Sequence, residues 1–290
     1  MKLLDQHVSQ ALDDYGTKLE QHFECSVLAY LGAIHPALIP PFMEYIERIS
    51  KRKSEHSAQD RLVVILTTGG GVVEAVEKMV EIMRYHFNEI FFVIPDSAMS
   101  AGTIWSMSGD KIYMDYSSSL GPIDPQVPNL EGKLVPALGY IDKVDEFIGK
   151  SKVNNLSPAE YMFLKSLDLA SLRRYEQARD LSISLLKQWL VKYKFKDWAV
   201  HRTNKPGTPV TQEEKEARAE QIAKMLSDNK MWHSHGRMIG IDTIKNELRL
   251  EVEDFSKDED LRYNLRAYNG LLTEYIEKEK LPYMLHSPRI

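Results

Sequence analysis

The sequence predicts an α/β protein, with a parallel sheet wrapped by helices in its first half and a helical second half. Three observations carry this. Apolar strand-like runs alternate with helical patterns through the first 120 or so residues. Some of these runs are nearly continuous rather than alternating, which suits strands covered on both faces. Beyond residue 134 the long segments have helical spacing.

Residues 1–24, "MKLLDQHVSQALDDYGTKLEQHFE", read as an acidic amphipathic helix without the apolar core and small-residue cleavage site of a signal peptide. "SVLAYLGAI" (26–34) is the first expected strand and "RLVVILTT" (61–68) the second. Between them Leu38, Ile39, Phe42, Ile46 and Ile49 fall near helical spacing. "EIFFVIP" (89–95) is the third strand, preceded by a helix with Val72, Val73, Val76, Met79, Val80 and Met83 on one face. "DKIYMDYSSSL" (110–120) is expected as a fourth. Strand–helix–strand repetition of this kind makes a parallel sheet with right-handed crossovers. The helical half follows, with starts expected at Ser157-Pro158 and at Thr211 with Glu214. "GIDTIKNELRLEVEDF" reads as a helix and a short strand. The expected division is an N-terminal helix (1–24), an α/β core (25–135), a helical portion packed on it (136–255) and a charged helical tail (256–290).

Composition narrows the function. The 290 residues suffice for one large domain or a domain with a helical extension. A net charge of -5 gives no basic field for nucleic acid or an anionic membrane. No apolar run approaches the length of a membrane span. The lone cysteine, Cys25, excludes a disulfide framework and fits a reducing, cytoplasmic compartment. It precedes an apolar run and reads as a small buried hydrophobe.

Three segments fall at the ends of consecutive strands, where open parallel sheets place their sites. "TTGGG" (67–71) could be a tight turn, a phosphate cradle or an oxyanion hole, since glycine lets N–H groups approach a ligand closely. No Lys-Ser/Thr pair follows it, and its spacing is neither a P-loop nor GxGxxG. "PDSAMSAGT" (95–103) offers Ser100 at a strand-to-helix corner, or else an ordinary helix start with Ser97 as N-cap. "YSSSLGPIDPQ" (116–126) contains Asp124, either a turn cap or a functional carboxylate.

Together, "TTGGG", "AMSAGT" and "SSLGPIDPQ" in this order resemble the ClpP/crotonase superfamily, and within it the SDH-type ClpP-like serine peptidases. "WHSHGRMIG" (232–240) and the segment after it resemble that family's C-terminal part, so the likeness spans roughly residues 25 to 255. The resemblance implies a spiral of ββα units, a homo-oligomer and a polypeptide substrate, with no cofactor and no metal. It makes Ser100 the nucleophile, with Gly70 or Gly71 and the Ala101 N–H as oxyanion donors. Where ClpP-like proteases carry a histidine base, this chain has Asp124, and an ionised carboxylate of ordinary pKa is a poor base for a hydroxyl. Two other bases remain. Lys133 occupies a place comparable to the lysine of Ser-Lys relatives of ClpP and would have to be held neutral by burial; a solvated loop lysine is its plainer reading. His235, or His233, is the second candidate, ranked below Lys133. The pair has no cysteine or acidic partner nearby in sequence to suggest a metal site, and both could simply cap and pack a helix start. Asp124 would then orient or form a turn.

The leading expectation is therefore a cytosolic serine peptidase with a Ser-Lys dyad. No ATPase motif is visible, so any unfoldase or adaptor would be a separate chain. Two alternatives share the fold. One is a crotonase-type acyl-CoA enzyme, which needs no serine at this corner. The other is an inactive scaffold or partner-binding protein, favoured by the uncertain base.

Overall fold

A computed structural model describes residues 3–56, 60–128, 134–202 and 206–290. The first half lays down helix α1 (Leu3–Phe23), strand β1 (Ser26–Gly32), helix α2 (Ile39–His56), strand β2 (Arg61–Thr67), helix α3 (Val73–His86) and strand β3 (Glu89–Val93). Strand β4 (Ser97–Ala98), helix α4 (Ala101–Ser106), and strands β5 (Lys111–Met114) and β6 (Ser119–Leu120) complete it. A short hairpin of β7 (Gln126–Pro128) and β8 (Leu134–Pro136) leads into the helices α5 (Ala137–Lys152), α6 (Pro158–Ser166) and α7 (Leu169–Trp189). Helices α8 (Gln212–Leu226) and α9 (Asn229–Trp232), strand β9 (Ile239–Gly240), helix α10 (Ile241–Asn246) and strand β10 (Glu253–Asp254) follow. The chain closes with α11 (Glu259–Glu279) and β11 (Tyr283–His286).

The main sheet has the order β10-β5-β3-β2-β1-β11, parallel throughout except for β11. Alternation along its strands divides the core. Leu28, Tyr30, Leu62, Val64, Leu66, Ile90 and Phe92 face α2, α3 and α4. Val27, Ala29, Val63, Ile65, Phe91 and Val93 face α1 and α11, where Leu12, Leu19, Leu265, Tyr268 and Leu272 await them. Both faces are covered, which is why these strands carry apolar residues at every position. Cys25 is buried in the second of these layers, and that burial pushes its thiol up to about 12, the inert behaviour expected of it.

A second, smaller sheet, β4-β6-β9, crosses the ends of the first. Bridges at Ile34–Gly71 and Thr68–Ala98 extend the same crossing to the chain leaving β1 and β2. Each turn of the chain thus runs a long strand, a short crossing segment and a helix, the spiral of ββα units that the resemblance implies. The expected single strand over 110–120 is in fact two. It breaks at Asp115, whose carboxylate Oδ1 accepts from the backbone N–H groups of Ser117 and Ser118. That local turn stops the ladder and redirects the chain into the second sheet.

The chain end also departs from expectation. The sequence predicts a helical tail over residues 256–290. Instead β11 pairs antiparallel with β1, and Leu261, Leu265, Tyr268 and Leu272 of α11 are buried. A four-residue edge strand ending in His286 carries too little pattern to be read from sequence. The helix starts at Ser157 and Thr211 each form a reciprocal capping box, with Glu160 and Glu214.

Candidate active site

The site lies where β2, β3 and β5 end and the chain passes into the smaller sheet. After β3, the dipeptide Pro95-Asp96 turns the backbone into β4, and Ser100 follows at the start of α4. Ser97 lies in β4, so the alternative of Ser97 as N-cap is corrected: Ser100 holds the N-cap position. A capping serine has β-region dihedrals and turns its hydroxyl onto the helix N–H groups. Ser100 does neither. It sits at φ 51, ψ −113 and makes no side-chain cap bond. For a residue with a Cβ that conformation costs about 1–3 kcal/mol. Its hydroxyl instead points across to the Asp124 carbonyl, donating to it over a long 3.4 Å. The side chain is only 4% exposed.

One flank of Ser100 is made by the glycines. Met99 N–H donates to Thr68 O at 2.9 Å and Thr68 N–H to Ser97 O at 2.9 Å, so the end of β2 runs directly beside the serine corner. Gly70 has φ 104, a conformation only glycine adopts without strain. A Cβ placed there would lie 2.9 Å from Met99 O, 3.0 Å from Ser100 Cβ and 3.5 Å from Ala101 N. Gly70, Ser100 and the Ala101 N–H therefore converge on one small space. The Ala101 N–H belongs to the first turn of α4, whose donors have no intrahelical acceptor. The Gly70 N–H is held by Thr68 Oγ1 at 3.0 Å. Bonds from Ile34 N to Gly70 O and from Val72 N to Ile34 O, each 2.9 Å, fix the segment through Gly71.

The other flank is made by Asp124, 2% exposed. Its backbone carbonyl serves Ser100, while its carboxylate turns the opposite way. Oδ1 accepts from Leu138 N–H at the start of α5, at 3.0 Å, and Oδ2 lies 3.8 Å from His235 Nδ1. Burial pushes the carboxyl pKa up, opposed by the Leu138 N–H and by His235. The helix-start reading of the histidine motif is corrected, and a partner distant in sequence is added. His233 ends α9 in a left-handed conformation rather than starting a helix, and His235 does have an acidic partner, supplied from far along the chain. Both histidines, with Asp124, Asp142 and Asn229, line an open cleft of about 740 Å³ between α5 and the end of α9. Among the described residues, no three His, Cys, Asp or Glu side chains are grouped to hold a metal ion. Lys133 lies outside the described residues; β7 and β8, which flank it, pair from Gln126–Pro136 to Pro128–Leu134.

Sequence reasoning passed over two buried threonines that hold these flanks. Thr68 Oγ1 carries the Gly70 N–H, and Thr103 Oγ1 lies within 2.9 Å of both backbone groups of Gly121. The available signal was a threonine one helical turn beyond Ser100, a residue type that favours caps and turns over helix interiors.

Comparison with known proteins follows the same lines. The family model of ClpP-like SDH-type serine proteinases matches residues 42–204, more than half of the chain. An uncharacterized protein of Methanocaldococcus jannaschii, MJ0137, is 33% identical over 112 residues, covering 35% of this chain and 39% of that protein. A second from the same organism, MJ1495, is 34% identical over 64 residues, 22% of each. The chain thus spans well under half the length of these relatives. Among solved structures, a serine-to-alanine variant of the 1510-N membrane-bound stomatin-specific protease aligns with 86% of this chain and 82% of its own, at 13% identity and a TM-score of 0.45. A ClpP1 variant from Listeria monocytogenes aligns with 34% of this chain and 62% of its own, at 15% identity and a TM-score of 0.26. The family match, over the segment that contains the glycine run, the serine corner and Asp124, establishes that this chain belongs to the ClpP-like SDH-type serine proteinases.

Proposed function

We propose that the protein is a serine peptidase acting on polypeptides, with Ser100 as nucleophile. The observation that carries this is the strained Ser100 corner: a buried serine at an N-cap position whose hydroxyl caps nothing and reaches only the Asp124 carbonyl, with Gly70 packed against its Cβ. Ser100 Oγ attacks the scissile carbonyl carbon while a base takes its proton. The resulting oxyanion is held by the Ala101 N–H and by Gly70 or Gly71, with Gly70 free to serve once its bond to Thr68 opens. Collapse breaks the C–N bond, the base returns the proton to the departing amine, and water then hydrolyses the ester on Ser100.

Lys133 is the proposed base, on the resemblance and on its place in the sequence, nine residues after Asp124. A second reading is favoured by one distance. His235 lies 3.8 Å from the buried Asp124 carboxylate, a pairing that could orient an imidazole base. The proposal includes a cytoplasmic setting, supported by the lone buried Cys25. It also includes self-association. On α6 no residue is buried, yet Tyr161, Met162 and Phe163 are 57%, 64% and 65% exposed, an apolar surface suited to a second copy of the chain. Among the described residues, no helix is long and apolar enough to cross a membrane.

The deciding experiment is covalent labelling with a fluorophosphonate, located by peptide mass spectrometry. The adduct is expected on Ser100, and Ser100→Ala is expected to remove both the adduct and peptide hydrolysis while the protein stays folded. Hydrolysis by folded Ser100→Ala at the wild-type rate would overturn the proposal. Acyl-CoA binding by calorimetry, with no adduct at any protein concentration, would favour the crotonase-type alternative.

A further inference from the structure

Ser100 and Asp124 belong to different units of the spiral, and something must set the distance between them. The structure assigns this to one hydroxyl. Thr103 is fully buried on α4, one helical turn after Ser100. Its Oγ1 accepts from the Gly121 N–H at 2.9 Å and lies 2.8 Å from two carbonyls, Gly121 O and Ala98 O, to either of which it can donate. Ala98 is in β4, just before the serine corner. Gly121 begins the Gly-Pro-Ile-Asp segment that ends at Asp124.

The two segments also meet closely at this point. A Cβ on Gly121 would lie 2.7 Å from Met99 Cε and 3.3 Å from Met99 Cα. Glycine lets the Asp124 segment press against the residue preceding Ser100, and the Thr103 hydroxyl then pins it. The hydroxyl hydrogen can serve only one carbonyl at a time, while the lone pairs take the Gly121 N–H. Thr103, Ala98 and Gly121 are all buried, so solvent has little access to replace a missing partner.

We infer that Thr103 is a positioning residue for the peptidase reaction. It touches no substrate. It fixes the Asp124 segment, and the base carried beyond it, against the nucleophile corner. This rests on the reading of Ser100 as nucleophile. A misplacement of about 1 Å at such a junction can cost on the order of 100-fold in rate.

The test compares wild type with Thr103→Ser, Thr103→Cys and Thr103→Val. Ser keeps the hydroxyl, Cys keeps the size with a poor hydrogen-bonding group, and Val keeps the shape alone. Four quantities are read: fluorophosphonate labelling rate at Ser100, kcat, KM and hydrogen exchange at the Gly121 amide. Thr103→Ser should stay within about threefold of wild type. Thr103→Val should lose about 10- to 100-fold in labelling rate and kcat, with KM little changed and exchange at Gly121 faster. Thr103→Cys should fall between, and it carries the test if the valine variant does not fold. A shift of the kcat pH profile in the Cys or Val variant, absent in the Ser variant, would mark a displaced base, which a merely structural role would not give. The inference is overturned if folded Val or Cys variants label at the wild-type rate, or if Ser loses as much as Val. Absence of labelling in wild type would instead strike the peptidase reading, and the Gly121 exchange order would still decide whether Thr103 pins the segment.

Discussion

The two flanks of Ser100 are built from different distances along the chain. The glycine flank is closed by backbone bonds among residues 34, 68, 70, 97 and 99, each between successive turns of one spiral. The Asp124 flank draws on the first turn of α5, on a histidine more than a hundred residues further on, and on the β7–β8 hairpin. The first flank can form as soon as the α/β core forms. The second is completed only by contacts to the helical half, through the Leu138 N–H and His235. With Ser100 as the proposed nucleophile, oxyanion stabilisation and proton transfer draw on different flanks, and substitutions can weigh on one more than on the other.

The largest separation is expected from the base candidates. Under the proposed Ser-Lys dyad, Lys133→Ala should reduce hydrolysis by about 10⁴-fold or more, while His235→Ala stays within about tenfold. The reverse order would move the base to His235. The pH dependence of kcat/KM distinguishes them further. A lysine base must be neutral to act, so activity should rise with pH up to its depressed pKa. If lysine is the base, that rise should survive His235→Ala; if His235 is the base, the substitution should abolish it. Steady-state kinetics between pH 5 and 10 on a fluorogenic peptide would settle the order.

The same contrast explains what the sequence could and could not reveal. The core strands and the glycine run were legible because their signals are local: continuous apolar stretches, and glycines placed where a strand ends. Local signals left Ser100 open between a helix start and a nucleophile, and only the resemblance across three segments favoured the nucleophile. The pairing of His235 with Asp124 was not legible. It depends on how the segment after α9 returns to the start of α5, and no spacing within "WHSHGRMIG" encodes that return. Thr103 was hidden differently. Its partners are backbone groups of Gly121, and a backbone partner leaves no mark in a side-chain pattern.

A smaller effect should come from the glycine flank. Gly70→Ala forces a Cβ onto a backbone with φ 104 and against Met99 O and Ser100 Cβ. The loop must shift, and with it the proposed oxyanion donor. A loss of about 10²- to 10³-fold in kcat is expected, the range for removing one such donor. The pH profile should keep its shape, because the base flank is untouched. A profile that moved with Gly70→Ala would mean that the flanks are coupled through the Ser100 corner that both touch. Kinetics and thermal unfolding of the same preparation would separate lost chemistry from lost fold.

The smallest effect concerns stability alone and isolates the cost of the Asp124 flank. Burial raises the Asp124 pKa, so the folded protein holds that proton to a higher pH than the unfolded chain does. The stability contributed by this group is present below the ordinary carboxylate range and is lost as pH rises through the raised value. At neutral pH the buried charge is therefore a net cost, which the Leu138 N–H and His235 offset only in part. Asp124→Asn keeps an oxygen to accept the Leu138 N–H and removes the charge. The variant should melt about 1–3 °C above wild type near pH 7.5, with the gap closing toward pH 4. A wild type that is the more stable of the two at pH 7.5 would show that attraction to His235 outweighs burial. The Asp124 flank would then be held by an ion pair rather than merely tolerating a charge, and the pair would gain standing as the source of the base.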